Sequence, residues 1–263
     1  MDLAYDRRGD GPPLVLLHPL GGDRHVWDPV LGLLTPQRDV IALDLPGFGA
    51  SPPLAGPERP TPAALAVAIA GFLDGLGVAR PHAGGNSLGG WVALELGLRD
   101  LARSVTAVAP AGLWPQPLMP KRGIAHALAG ATLGAMPALV RSAAGRRLVL
   151  AGIVAHPERV PPAAALALVR AYATAPGFGA VNDAMRAGRF TGLERVRVPV
   201  TLAWAERDRL VAPPAHVPAG VRTRGLSDCG HLPMWDDPEQ VAEVLLTGSA
   251  PRGAARHADA AVI

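Results

Sequence analysis

A serine flanked by glycines constrains the fold of this chain more than any other feature. Ser87 lies at the centre of the run Gly85-Asn86-Ser87-Leu88-Gly89-Gly90, between a segment that can end a strand (79–83) and an apolar helical segment (91–98). So sharp a strand-to-helix turn needs small residues around the serine, whose hydroxyl then stands above the helix N-terminus. The pattern favours a nucleophile, and a helix-capping serine in a glycine-rich turn is the alternative.

Short apolar runs that alternate with helical patterns predict a parallel sheet. The run Pro13–Leu17 is continuously apolar, as expected of a strand covered on both faces. Similar runs are Asp39–Asp44, Val105–Ala109 and Val198–Trp204. Helices are expected over about 62–76 and 238–246. This alternation indicates an α/β fold, in which ligand chemistry lies at the carboxyl ends of the strands.

Three polar residues follow predicted strand ends in the order Ser87, Asp208 and His231. That chain order is the order of nucleophile, acid and histidine in the α/β-hydrolase fold. Two loops carry the same resemblance. The run His18-Pro19-Leu20-Gly21-Gly22 is similar to the family's oxyanion loop, and the turn 44–51 resembles its D-x-P-G-x-G-x-S pattern. The chain therefore resembles the serine-nucleophile, esterase- and lactonase-like branch of the α/β-hydrolase superfamily.

The resemblance covers about residues 3–115 and 192–247 and implies a mostly parallel central sheet with helices on both faces and an inserted helical cap. The expected units are an α/β-hydrolase core at 1–113 and 191–247, a helical cap at 114–190 and a disordered tail at 248–263. Helical patterns in the insertion run over about 124–133, 137–155, 163–174 and 181–187. Candidate pocket walls, each also explicable as ordinary packing, are Leu113, Trp114, Met119, Met136, Phe178 and Leu232. His18 more naturally holds the oxyanion loop by hydrogen bonds, and a place in the substrate pocket is the alternative.

The residue types fit nucleophilic catalysis at an acyl carbon. A serine hydroxyl needs a base to take its proton, and histidine suits that role because its ordinary pKa is ~6.5. A carboxylate then fixes the histidine tautomer and stabilises the imidazolium. We therefore assign Ser87 as nucleophile, His231 as general base and then acid, and Asp208 as the orienting acid. By resemblance, the backbone N–H groups of Leu20 and Leu88 form the oxyanion hole.

Other acidic residues near the end of the chain compete for the role of the acid. Asp228 comes only three residues before His231 and more naturally caps or solvates that turn. Asp236 and Asp237 lie at the start of the last helix, where carboxylates favour the helix dipole. The family commonly has a glycine shortly before its acid, whereas this chain has Trp204-Ala205 there.

One position in the oxyanion loop departs from the family pattern, and the histidines of the chain differ in their place relative to the predicted strands. Pro19 replaces the usual glycine and removes an N–H group, so that residue 19 cannot be an oxyanion donor while Leu20 remains available. Of eight histidines, only His231 lies between a late strand and the final helix. His126 and the arginines of the insertion are candidate contacts for an acidic substrate, although a solvated face is the simpler interpretation.

Composition agrees with one large globular domain plus an insertion. The 263 residues are 49% hydrophobic and 18% charged, and the formal net charge is only +3. The sequence has no basic stripe with interleaved aromatic residues, so nucleic-acid binding is not expected. The single Cys229 permits no internal disulfide, and no cysteine or histidine spacing predicts a metal or cofactor. Because the sequence predicts neither a signal peptide nor a membrane span, a cytoplasmic protein is expected. A small, largely apolar acyl substrate is also expected, and the sequence does not specify the oligomeric state.

The resemblance also orders the possible reactions. Epoxide hydrolases and haloalkane dehalogenases of the family carry aspartate at the position of Ser87. The C–C bond hydrolases typically have methionine after the serine and tryptophan after the histidine, where this chain has Leu88 and Leu232. Hydrolysis of a carboxylic ester or lactone through an acyl-enzyme on Ser87 is the first expectation. An acyltransferase or cyclase, a C–C bond hydrolase and a ligand-binding protein without turnover remain alternatives.

Overall fold

A seven-stranded sheet forms the centre of the computed structural model, which describes residues 1–119 and 123–250. The strands are β1 Tyr5–Arg8, β2 Pro13–Leu17, β3 Asp39–Leu43, β4 His82–Asn86, β5 Ser104–Val108, β6 Val200–Ala205 and β7 Arg222–Leu226. Their order across the sheet is β1-β3-β2-β4-β5-β6-β7. Only the edge strand β1 pairs antiparallel, and the other neighbours pair parallel. The predicted mostly parallel sheet is confirmed.

Helices cover both faces of the sheet because successive side chains of a strand point to opposite sides. On β2, Val15 and Leu17 pack into one apolar cluster, with helices α2 (Pro62–Gly75) and α3 (Leu88–Leu98). Leu14 and Leu16 pack into the other, with α1 (Asp28–Leu34) and α9 (Pro238–Gly248). The continuously apolar β2 therefore lies between two helical layers, as its sequence predicted.

In the described part of the chain between β5 and β6 there are five short α-helices. They are α4 Ile124–Thr132, α5 Met136–Leu139, α6 Ala143–Val149, α7 Pro162–Thr174 and α8 Phe178–Arg186. The pattern over 137–155, predicted as one helical stretch, is interrupted because Ser142 adopts an extended backbone and accepts a hydrogen bond from the Gly145 N–H, which starts α6 anew. Within the described residues no single helix is long and apolar enough to cross a membrane, and α7 and α8 reach that length only as a pair bent by 77°.

This insertion is bonded to loops that follow the strands at their carboxyl ends. The Gly177 N–H donates to the Gly47 carbonyl at 2.8 Å, in the turn after β3. The Leu232 N–H, in the loop after β7, donates to the Ile153 carbonyl at 2.9 Å. The insertion thus lies against the edge of the sheet where chemistry is expected.

The last helix runs further than the sequence predicted. α9 ends at Gly248 rather than near 246, and Ser249 is buried, with its Oγ accepting from Arg38 Nε at 3.0 Å. Residues 248 and 249 therefore pack with the core, and the remaining part of the predicted tail, 251–263, lies outside the described residues.

Candidate active site

Ser87 stands on a strained turn between β4 and α3. Its backbone has φ 55° and ψ −114°, a left-handed conformation that typically costs a non-glycine residue about 1–3 kcal/mol. The glycines around it are required by space, because a Cβ on Gly85 would overlap the carbonyl of Gly89, and a Cβ on Gly89 would overlap the carbonyl of Leu17. The turn predicted from the G-x-S-x-G run is therefore the turn that the structure contains.

A histidine and an aspartate meet beside this turn. His231 Nδ1 lies 2.8 Å from Asp208 Oδ2, and both side chains are almost fully buried. Asp208 Oδ1 also accepts from the N–H groups of Leu210 and Val211, at 2.7 and 3.1 Å. Burial alone would raise the pKa of Asp208, but the hydrogen bond and charge of His231, with the two N–H groups, hold that pKa below its ordinary value. The aspartate is thus a carboxylate that fixes the orientation of the ring.

Asn86 joins the histidine loop to the nucleophile turn. Its Nδ2 donates to the carbonyls of His231 and Val108, both at 3.1 Å, and its side chain is fully buried. His231 is held next to the residue that precedes Ser87, although in the described part of the chain no hydrogen bond joins Ser87 Oγ to His231. Such nucleophile–base contacts are often longer in an empty site than in the reacting complex. The sequence offered no signal for this role of Asn86, because its partners are distant in the chain.

The two backbone N–H groups that the resemblance assigned to the oxyanion hole have no acceptor within residues 1–119 and 123–250. One belongs to Leu88, the first residue of α3, where intrahelical acceptors are missing. The other belongs to Leu20, in a turn closed by a hydrogen bond from the Gly22 N–H to the Pro19 carbonyl at 3.0 Å. These are the two donors that the sequence predicted for an oxyanion hole.

Comparisons with known proteins agree with this geometry. The sequence profile of the alpha/beta hydrolase family matches residues 14–244. The chain belongs to the α/β-hydrolase family. It is 34% identical over 197 residues to the epoxide hydrolase EphH of Mycobacterium tuberculosis, covering 70% of this chain and 92% of that protein. Membership identifies it as an enzyme of the hydrolase class.

A second relative is named as an ester hydrolase, and a solved structure of similar fold is named as a lactonase. The pimeloyl-(acyl-carrier protein) methyl ester esterase of Aeromonas hydrophila subsp. hydrophila is 41% identical over 98 residues, which are 37% of each chain. The enol-lactonase from Burkholderia xenovorans LB400 superposes with a TM-score of 0.74 at 24% identity, covering 93% of this chain and 95% of that one. The second likeness shows the shared fold alone.

His18 of this α/β-hydrolase holds loops together and does not line a pocket. The side chain is fully buried, Nδ1 donates to the Pro19 carbonyl at 2.8 Å, and Nε2 accepts from the Leu45 N–H at 2.9 Å. Burial lowers the pKa of His18 and so favours the neutral ring, while the Leu45 N–H fixes the tautomer because Nε2 must accept. Because both ring nitrogens are occupied, the structure agrees with the structural role favoured for His18, and its alternative place in the pocket is corrected.

An ion pair that the sequence analysis missed fixes the same loops. Asp44 is fully buried and accepts from the Arg24 side chain and backbone, each at 2.7 Å, and from the Ala50 N–H at 2.8 Å. These bonds connect the turn after β3 to the segment that follows Leu20. Asp44 was visible as the first residue of the D-x-P-G-x-G-x-S run, but its partner Arg24 carried no motif.

The competing carboxylates have other partners. Asp228 pairs with Arg207 at 2.6 Å and with His156 at 2.8 Å, and half of its side chain is exposed. Asp236 accepts three N–H bonds, two of them from Ala155 and His156 in the insertion. It therefore fastens the insertion to the histidine loop, and the helix cap predicted there is supplied by Asp237 alone.

The remaining pocket candidates divide by exposure. Met119 is 80% exposed, so its predicted place in a pocket wall is corrected to a surface position. Leu113 is half-buried, and Trp114 packs edge-on against Trp91 and donates to the Gly188 carbonyl. Buried apolar clusters contain the other three, Met136, Phe178 and Leu232. Phe178 also lies beside the loop that carries Leu20, because a Cβ on the neighbouring Gly21 would be 3.4 Å from its Cδ2.

Proposed function

We propose that this hydrolase cleaves a carboxylic ester or lactone through an acyl-enzyme on Ser87. The observation that carries the proposal is the buried Asp208–His231 pair, held by Asn86 beside a serine on a strained turn. A carboxylate that fixes one ring nitrogen leaves the other as the acceptor for a hydroxyl proton. In this proposal, the N–H groups of Leu20 and Leu88 donate to the developing oxyanion.

Each step of the proposed reaction balances in protons. Ser87 Oγ bonds to the acyl carbon while its proton moves to His231 Nε2, and the carbonyl oxygen becomes an oxyanion. The oxyanion collapses, the C–O bond to the alcohol breaks, and His231 returns the proton to the leaving oxygen. Water then attacks the ester on Ser87 with the same proton path, which releases the acid and restores the serine. Asp208 stays ionised and stabilises the imidazolium in both halves.

Epoxide opening, the activity named for the Mycobacterium tuberculosis relative, fits the serine poorly. Attack of Ser87 Oγ on an epoxide carbon would form an alkyl ether. An ether has no carbonyl for water to attack, so the oxyanion donors would have no role and the enzyme would stop after one event. An acyl group on the same oxygen is released by water, which is why ester or lactone cleavage is the better proposal.

Acyl transfer to an alcohol or amine is the second candidate, because the site is secluded. Ser87 and His231 are only 7% and 5% exposed. We propose that the insertion, residues 114–190, acts as a cap over them. Low access of water to an acyl-enzyme would favour transfer to a bound acceptor. The first steps on Ser87 are the same, and only the nucleophile of the second half differs.

A fluorophosphonate probe with intact-mass analysis, run beside short p-nitrophenyl esters, tests the proposal. We expect one probe per chain and ester turnover, both lost in Ser87→Ala, with turnover reduced by several orders of magnitude. Ser227→Ala, an exposed serine close to the histidine in sequence, is the matched control and should keep both signals. Labelling of Ser87→Ala as strong as that of the parent protein would contradict the assignment. Labelling without turnover would favour acyl transfer.

A further inference from the structure

Three aromatic rings of the insertion form one cluster, which we call the aromatic wall: His126, Tyr172 and Phe178. The His126 ring stacks on Phe178 with centroids 4.3 Å apart and an interplanar angle of 9°. Tyr172 meets both rings edge-on, at 5.5 Å from His126 and 5.1 Å from Phe178. The rings come from three different helices, α4, α7 and α8, so the wall forms only when the insertion is folded.

The aromatic wall lies directly against the loop of the proposed oxyanion hole. A Cβ on Gly21 would be only 2.5 Å from Tyr172 Cδ2 and 3.4 Å from Phe178 Cδ2. Gly21 is therefore required there both by this contact and by its φ of +76°. Because consecutive Cα atoms are about 3.8 Å apart, the wall lies one residue from the Leu20 N–H. The aromatic wall is therefore adjacent to the loop that we propose binds the carbonyl of the substrate.

One polar atom of the wall is buried without a protein partner. His126 Nε2 has no hydrogen bond within the described residues, although it is screened from solvent by its surroundings. Leaving such a nitrogen unpaired in the interior is unfavourable. The Tyr172 hydroxyl, which is not fully buried, also has no hydrogen bond to the described chain, and partial burial raises the pKa of Tyr172. Two polar atoms in an aromatic surface next to the oxyanion loop are what a pocket uses to orient a ligand.

We propose that the aromatic wall is the specificity site for the acyl portion of the substrate, and that His126 Nε2 hydrogen-bonds a hydroxyl or carbonyl substituent within a few bonds of the ester carbon. This inference rests on the proposed ester or lactone hydrolysis at Ser87. The substrate class is therefore an ester or lactone whose acyl chain carries such a polar group. Phe178 and Tyr172 contact its apolar part.

Matched substrates isolate the substituent. The kcat/KM of p-nitrophenyl butyrate is compared with that of its 2-hydroxy and 3-hydroxy derivatives, which differ from it by one oxygen. In His126→Phe, which keeps an aromatic ring against Phe178, we expect the preference for the better hydroxy ester to fall about threefold to tenfold, the range of one neutral hydrogen bond. The kcat/KM of plain butyrate is the internal reference, and it should fall less than that of the better hydroxy ester. Leu128→Ala, an exposed position on the same helix, should leave the preference unchanged.

The outcomes separate this inference from the function on which it rests. Equal losses of kcat/KM on all three esters would show that His126 only packs. Unchanged kcat/KM values on all three esters would show that His126 does not contact the substrate. Either result overturns the inference while Ser87-dependent hydrolysis stands. Absence of any hydrolysis that depends on Ser87 in the parent protein would overturn the proposed function and this inference together. Tyr172→Phe, which removes only the hydroxyl, reports whether the second polar atom of the wall shares the contact.

Discussion

The loops that carry Ser87, Asp208 and His231 are held much more tightly than helix α4 of the insertion. Ser87 is fixed by a strained backbone between glycines that tolerate no side chain, and the carboxylate by three hydrogen bonds. By contrast, α4 contains no buried residue, and its Ile124 and Leu128 are 70% and 61% exposed. Local opening is cheapest where few apolar groups are buried.

This contrast separates the reaction from the substrate. The steps of acyl chemistry need atoms fixed within a fraction of an ångström, and the core loops supply them. In our proposal, recognition of the acyl group belongs to the short helices of the insertion, which can differ without disturbing the sheet. An enzyme of this fold can therefore keep its mechanism while its insertion changes, which is why fold does not fix substrate.

The largest expected effect tests which of the two competing carboxylates, Asp208 or Asp228, is the acid. Asp208→Asn should lower kcat by about 10⁴, because an amide favours the wrong tautomer of His231. Asp228→Asn, whose side chain contacts Arg207 and His156, should change kcat less than threefold. Steady-state hydrolysis of p-nitrophenyl butyrate measures both. If Asp228→Asn had the larger effect, the acid would belong to the loop that binds the insertion, and the distinction between core and insertion would fail.

A glycine of the nucleophile turn should be intolerant of a single methyl group. In Gly89→Ala the new Cβ overlaps the carbonyls of Leu17 and His18, neither of which can move without shifting β2. We expect a loss of about 3 kcal/mol or more in the free energy of unfolding. Urea denaturation followed by circular dichroism gives this value. A loss below 1 kcal/mol would mean that the turn is not held as rigidly as its geometry implies.

Acid sensitivity should also belong to the core. Burial lowers the pKa of His82 to about 4, and the nearby Arg38 and Arg103 add to the effect. Between pH 6.5 and about 4 the unfolded chain takes up a proton that the folded chain refuses, so stability falls as the pH falls through this window. The loss reaches up to about 3 kcal/mol. Urea midpoints from pH 7 to 4 should decline less steeply in His82→Gln, and parallel curves for the two proteins would refute this origin.

Sequence alone was sufficient where the chemistry depends on short-range patterns. The turn at Ser87 follows from glycines two residues away on each side, and the strand β2 from five consecutive apolar positions. Asp208 and His231 could be placed because each follows a strand end. Their mutual distance was not visible in the sequence, since 23 residues separate them.

Sequence failed where a partner is remote or a helix can stop early. A structural role was expected for His18, but its bond to the Leu45 N–H, 27 residues away, could not be read from the sequence, so a place in the pocket stayed open. Ser142 ended one helical pattern and began another because a side-chain oxygen competed for the Gly145 N–H. The wall around His126 depends on helices from three separate segments, and tertiary packing decides such contacts.

The smallest expected effect completes the comparison with Gly89. Gly179 lies in α8 of the insertion, and a Cβ there would meet no atom within 4 Å. Gly179→Ala should therefore stabilise the protein by about 0.4–1 kcal/mol, because alanine restricts the unfolded chain without straining the folded one. The same urea titration compares the two variants.

Near-ultraviolet circular dichroism reports on the aromatic side chains of both regions. If the insertion unfolds independently of the core, this signal should show the gain in stability in an early transition only. A gain in the single main transition would show instead that insertion and sheet unfold together, and the difference between the two regions would then be one of local rigidity rather than of separate stability.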